Sequence, residues 1–152
     1  MRTKVAERLS LEENNVFRIQ NPSYGPLDLI RAGGQQAGAI DITALRAADM
    51  INASGGGTFV AHSNGSALFY AASPLLRPEV KAKLIYKGYG PQINVNTSND
   101  PGLRSYYNDA GSNDWIARGL NPNAHWDRII PQSLFHPYDN HMFKQTYAPE
   151  LY

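Results

Sequence analysis

A chain of 152 residues with 42% hydrophobic and 18% charged side chains has the size and composition of one compact domain, and not of a disordered, collagenous or coiled-coil protein. Its 14 Lys+Arg against 13 Asp+Glu leave a formal charge of +1, without the basic face that a nucleic-acid binder needs to displace counterions from phosphates. With no cysteine, disulfide frameworks, thiol nucleophiles, thiolate zinc sites and iron–sulfur clusters are excluded together.

The polar, charged segment 1–15 is set apart from a domain expected over 16–152. Its start (MRTKVAERLS) lacks the apolar stretch of a Sec signal, and nowhere does the chain hold the about 18 consecutive apolar residues of a membrane span, so it reads as soluble, without stable membrane insertion. Export by a dedicated system, or delivery within a longer polypeptide, would leave no such mark, and the compartment stays open.

The β-rich run 16–19 (VFRI) predicts a strand, ended by the loop Asn21-Pro22-Ser23-Tyr24-Gly25. Pro26 opens a short helix over 26–32, with Gly33 and Gly34 as its stop. A second helix is capped by Asp41 or Thr43, carries Ala44, Ala47, Ala48 and Ile51 on one face, and ends at Ser54-Gly55-Gly56-Gly57. Those glycines precede a strand and no Gly-Lys-Ser/Thr follows them, so they are a helix stop and not a phosphate loop. Thr58-Phe59-Val60-Ala61, apolar without alternation, predicts a strand buried on both faces. After the turn His62-Ser63-Asn64-Gly65, segment 66–72 (SALFYAA) is helical as far as Pro74. Beyond Pro78, the run 82–86 (AKLIY) predicts a strand closed by Gly88 and Gly90, and 103–107 (LRSYY) another. Asp100, before Pro101, reads as a turn residue. From Asn108 onward the chain is rich in Asn, Asp, Gly and Pro around the apolar anchors Trp115, Ile116 and Trp126. Strands alternating with helices at this spacing define an α/β fold with a mostly parallel sheet and right-handed crossovers.

The chemistry concentrates at Ala61-His62-Ser63-Asn64-Gly65, a strand–turn–helix junction of the kind a G-x-S-x-G nucleophile elbow demands. Such a turn must hold its serine in strained backbone at the carboxyl end of a central strand, with small flanking residues so that strand and helix pass closely. Ala61 replaces the usual first glycine and is small enough to serve. The helix that follows aims its positive end at the serine, and the Asn64 N–H is one oxyanion donor. Without that context, the same five residues would be a polar turn.

With these motifs in place the chain resembles an α/β-hydrolase of the bacterial lipase or esterase kind, and particularly the lipase-type domains of bacterial effector and polymorphic-toxin proteins. The resemblance runs from about residue 16 to the end, through VFRIQNPSYG, ALRAADMI, TFVAHSNGSA, KLIYKGYGPQ, YYNDAGSNDWIA and NHMFKQTY. It implies a single-domain, minimal α/β-hydrolase fold and a Ser, acid, His triad in that chain order. It also implies hydrolysis of a carboxylic ester, of lipid or phospholipid type, through an acyl-enzyme on Ser63 without any cofactor. Members of the family are considerably longer, and their early strands and lid have no counterpart here, as in a minimal core or one part of a larger polypeptide.

The family pattern places the acid in the loop after the strand at 103–107, where Asp109 and Asp114 both lie. Asp114, followed by Trp115-Ile116-Ala117 like the family's acid before an apolar helix start, is the choice, and Asp109 the reserve. Capping a turn or helix is the commoner role of an Asp amid Asn and Gly. Among His125, His136 and His141, the last resembles the family's histidine through His141-Met142-Phe143 with Tyr147, and His136, in the loop before Pro137-Tyr138, is the reserve. His62, beside the serine on the strand, points away from it. Ser23 and Tyr24 supply the second oxyanion donor, since Pro22 has no N–H. Tyr24, Phe69, Tyr89, Tyr106 and Tyr107 offer aromatic surface for an acyl pocket, against the default of plain core.

Two other classes compete. His125, Asp127, His136, Asp139 and His141 are all suited to bind zinc or another divalent ion, which would make a metal-dependent hydrolase or nuclease, although their spacing matches no compact metal motif and leaves the elbow unexplained. The third class is a catalytically inactive α/β module that binds a partner.

Overall fold

A computed structural model of the chain describes Ile30 and residues 33–132. The expected strand at 16–19, the loop at 21–25 and nearly all of the helix at 26–32 lie outside the described residues, as does everything from 133 onward.

Helix α1 (Ile42–Ser54) precedes strand β1 (Gly57–His62). Helix α2 (Asn64–Ala72), a 3-10 turn (Ser73–Leu75) and the single turn α3 (Pro78–Lys81) then lead to β2 (Leu84–Tyr89). Strand β3 (Ser105–Gly111), helix α4 (Trp115–Leu120) and β4 (Arg128–Ile130) follow. The four strands form one sheet in the order β1-β2-β3-β4 with every neighbouring pair parallel. This is the α/β arrangement that the alternation of strand and helix predicts, and it brings all four strand carboxyl ends to one edge.

Asp41 caps α1 by accepting the N–H groups of Thr43 at 2.9 Å and Ala44 at 2.8 Å through Oδ1, so the aspartate acts as cap and Thr43 lies inside the helix. The helix ends at Gly55, whose φ of 73° is the left-handed C-cap conformation. Ala44, Ala47, Ala48 and Ile51 form its buried face, and their small side chains let α1 lie against α2. Gly33 and Gly34 do not stop a helix: residues 33–36 are helical, and the Ala39 N–H still reaches the Gly34 carbonyl at 2.8 Å. A helical glycine costs only about 1 kcal/mol against alanine, too little to end a turn whose hydrogen bonds continue.

β1 is not buried on both faces. Phe59 and Ala61 join the core beneath α1 and α2, but Val60 faces the other side with Tyr89 and Ile130, and Thr58 is exposed. β1 also stands first in the described strand order rather than between two neighbours, and the strand expected beside it, 16–19, is outside the described residues. β2 starts at Leu84 rather than 82 and runs through Gly88, because Pro78 at a first helical position turns 78–81 into α3. β3 extends to Gly111, so Asn108, Asp109 and Ala110 are strand residues; pairing with β2 on one side and β4 on the other outweighs the poor strand preference of Asn, Asp and Gly.

The core is built on Phe69, which packs against Phe59 and Tyr86 at ring-centroid distances of 4.8 Å and 4.9 Å. The β2–β3 connection carries no helix. Val95 fills the core in its place, and Asn108 Nδ2 donates to the Val95 carbonyl at 2.7 Å. Asp100 is more than a turn residue: it is buried, accepts from Ser73 Oγ at 2.7 Å and pairs with Lys81, pinning the connection to the helical layer. Tyr86 is fully buried, and its hydroxyl has no hydrogen-bond partner of good geometry among the described residues, although Ser66 lies beside it. Burial pushes its phenol far above the usual 10.0, and the charge of Asp100 acts in the same direction. Above pH 10.0 the unfolded phenol loses its proton and the folded one keeps it, so the stability this provides is full below that pH and lost as the pH rises. Tyr86→Phe is therefore expected to flatten the alkaline loss of stability, read as urea midpoints at about pH 8 and about pH 11.

Candidate active site

Ser63 joins β1 to α2 with φ 50° and ψ −120°, and among the described residues it is the one non-glycine residue with positive φ. A side chain in that region strains the backbone by about 1–3 kcal/mol, and such strain persists only where surrounding bonds impose it. Here they do. The Ser63 N–H donates to the Tyr89 carbonyl at 3.2 Å, and the Ser63 carbonyl accepts the Ser66 N–H at 3.1 Å, Ser66 Oγ at 2.7 Å and the Gln92 N–H at 3.4 Å. Ser66 Oγ also accepts the Ile93 N–H at 3.0 Å, so one buried hydroxyl ties the turn to the segment leaving β2. Close passage of strand and helix is visible at Gly65, where an added Cβ would lie 3.7 Å from the Ala61 Cβ, in ordinary van der Waals contact. Because glycine adopts this conformation without strain, Ser63→Gly is expected to raise stability by about 1 kcal/mol and Ser63→Ala to leave it unchanged, as read from thermal unfolding.

Asn64 opens α2, a helix of 9 residues, so its N–H is among the first four, which have no acceptor within the helix. The positive end of that helix faces the same sheet edge as Ser63, where an oxyanion forming on a bound carbonyl would be stabilised.

Two strands along the same edge, Asp114 follows β3. It is fully buried and caps α4, its Oδ1 accepting the Ala117 N–H at 2.9 Å. An ionised carboxylate has about four acceptor positions, so a cap bond is compatible with a second partner. Strands spaced at about 4.8 Å put β1 and β3 about 10 Å apart. Asn121 joins the two ends: its Nδ2 donates to the carbonyls of Pro91 and Gln92 at 3.1 Å each and to that of Ala117 at 2.9 Å, linking α4 to the segment that holds Ser63.

Asp109 lies within β3, not in the loop after it, and Arg128 Nη2 donates to its Oδ2 at 2.6 Å across the β3–β4 pair. His125 is exposed and precedes β4, its carbonyl accepting from the Asn94 side-chain amide at 3.0 Å, and the Asp127 carboxylate accepts the Asn108 N–H at 2.7 Å. Among the described residues no group of three His, Asp or Glu side chains is placed to hold a metal. His136, Asp139, His141, Ser23 and Tyr24 lie outside the described residues. Of the aromatic candidates, Phe69 is core, Tyr106 packs against that core, Tyr107 is exposed on the opposite face, and Tyr89 ends β2 directly beside Ser63. Among the described residues no helix is long and apolar enough to cross a membrane.

Sequence reasoning passed over Ser66, Gln92 and Asn121. Ser66 carried a signal, a polar residue in an otherwise apolar helix; the partners of Gln92 and Asn121 lie 29 positions apart in sequence, as their Asn121 Nδ2 to Gln92 carbonyl bond records, and left none. Strand, strained serine turn and helix thus define a parallel α/β protein with a serine of positive φ at a strand-to-helix turn. Comparison of the chain with protein-family models, with curated proteins and with solved structures finds no match.

Proposed function

We propose that the protein is a serine hydrolase of the α/β-hydrolase kind that cleaves a carboxylic ester, of lipid or phospholipid type, through an acyl-enzyme on Ser63. The observation that carries this reading is the φ of 50° at Ser63, a strained serine between a parallel strand and a helix N-terminus. The β1-to-β4 order supports it, because a nucleophile after β1, an acid after β3 and a histidine after β4 follow the chain order Ser, acid, His.

In the proposed reaction, His141 takes the Ser63 proton as Oγ attacks the ester carbonyl. The N–H groups of Asn64 and of Ser23 or Tyr24 hold the oxyanion, and Asp114 orients the imidazole. The imidazolium then protonates the departing alcohol, leaving Ser63 acylated. Water, deprotonated by the same imidazole, attacks the acyl carbon, and the acid leaves as Oγ regains its proton.

Labelling with a fluorophosphonate probe tests this without a choice of substrate. The intact chain is expected to label, Ser63→Ala is not, and a chelator is expected to change nothing. An unlabelled intact chain sinks the proposal; hydrolysis that survives Ser63→Ala and stops with chelator assigns the activity to a metal centre, and no hydrolysis of any ester assigns the fold to a binding module.

A further inference from the structure

The chain leaving β4 is clamped onto the loop that carries Asp114. Gln132 accepts the Asn113 N–H at its Oε1 and the Asn113 side-chain amide at its carbonyl, each at 3.0 Å, and its own N–H donates to Ser112 Oγ at 3.0 Å. The Ser112 N–H donates to the Ile130 carbonyl at 2.8 Å, and Arg118 Nη1 donates to the Ser112 carbonyl at 2.5 Å. The Gln132 amide lies where a side chain on Gly111 would begin: a Cβ there would be 2.0 Å from Gln132 Cδ and 2.1 Å from its Nε2 and Oε1. Gly111, Ser112 and Asn113, the residues leading from β3 to Asp114, are thus all in contact with one residue, Gly111 and the Asn113 N–H through its side chain and the rest through its main chain, although capping α4 needs only Asp114 itself.

We propose that Gln132 is a positioning residue that acts through Asp114, fixing the loop at 112–114 so that the carboxylate meets the imidazole base; this rests on the serine-hydrolase reading of Ser63. Gly111 is its counterpart, a vacant seat in which the Gln132 amide lies. A carboxylate held against an imidazole favours the imidazolium and raises its pKa. When the loop loosens, the base weakens, the maximal rate falls and the acid limb of the pH profile moves to lower pH. Misplacement by about 1 Å is enough for up to about 10²-fold in rate.

The test is the rate of fluorophosphonate labelling of the full chain from about pH 5 to about pH 9, with folding checked by far-UV circular dichroism. Gln132→Met, which keeps size and removes the acceptor, and Gly111→Ala, which fills the seat, are each expected to slow labelling by about 10- to 100-fold and to shift the acid limb downward. Their effects should not multiply in the double variant, because both break one contact. Gln132→Glu, which keeps an acceptor for the Asn113 N–H, is expected to recover most of the rate. A folded Gln132→Met that labels with the intact chain's rate and pH profile overturns the proposal, whether or not Gly111→Ala folds. So does a slower rate with an unmoved profile and multiplying effects, the signature of general loosening. An intact chain that does not label overturns the reading of Ser63 instead, a failure visible before any substitution at Gln132.

Discussion

Ser63→Ala is expected to lower the turnover of a soluble chromogenic ester by about 10⁶-fold, and His141→Ala to lower it nearly as far. The two losses do not add, because without the imidazole the Ser63 hydroxyl is a weak nucleophile at neutral pH, and without the hydroxyl the imidazole has no proton to take. The double variant is therefore expected to be no slower than the worse single one. His136→Ala keeps most of the activity. These substitutions remove no core contact of the described fold, so thermal unfolding of Ser63→Ala should match that of the intact chain, which separates lost chemistry from lost structure. An inactive His136→Ala beside an active His141→Ala moves the base to His136 and leaves the reaction class standing; two active histidine variants leave Ser63 without a base and sink the mechanism.

Asp114→Asn is expected to cost about 10⁴-fold in turnover with almost no change in stability, a combination that separates an acid from a cap. Asparagine caps a helix about as well as aspartate, so the bond to the Ala117 N–H survives. What is lost is the negative charge that selects the imidazole tautomer and stabilises the imidazolium. Asp114→Ala removes both, and its unfolding free energy should fall by about 1 kcal/mol more than that of Asp114→Asn. If Asp114 only caps α4, Asp114→Asn stays fully active and only Asp114→Ala changes anything, in stability alone. The kcat of the two variants, measured beside their urea midpoints, decides between the roles.

The two carboxylates considered for the acid show why loops resist sequence reading. Asp109 and Asp114 stand in one Asn- and Gly-rich stretch, and nothing local tells them apart except the apolar residues after Asp114. The distinction comes from β2 and β4, which pair with Asn108, Asp109 and Ala110 and draw them into the sheet, where Asp109 meets Arg128. Asp100 behaves likewise. Its neighbours in sequence are turn residues, but its partners Ser73 and Lys81 lie in the helical layer before β2.

What the residues alone settled is what neighbouring residues enforce. A cap at Asp41 or Thr43 was legible because such a side chain reaches N–H groups two and three positions on, and the structure chose Asp41; Ala44, Ala47, Ala48 and Ile51 share a face because helical geometry repeats every 3.6 residues, and the turn at Ser63 follows from the small residues Ala61 and Gly65 on either side of it. The ends of β2 and β3, the burial of Asp100, the anchoring of the Ser63 carbonyl by Ser66 and Gln92, and the seat of Gln132 over Gly111 came only with the tertiary structure. Each depends on hydrogen-bond partners supplied by another strand or by a distant loop, and a buried polar group takes whichever partner the packed sheet brings to it, a choice that no periodicity in its own segment records.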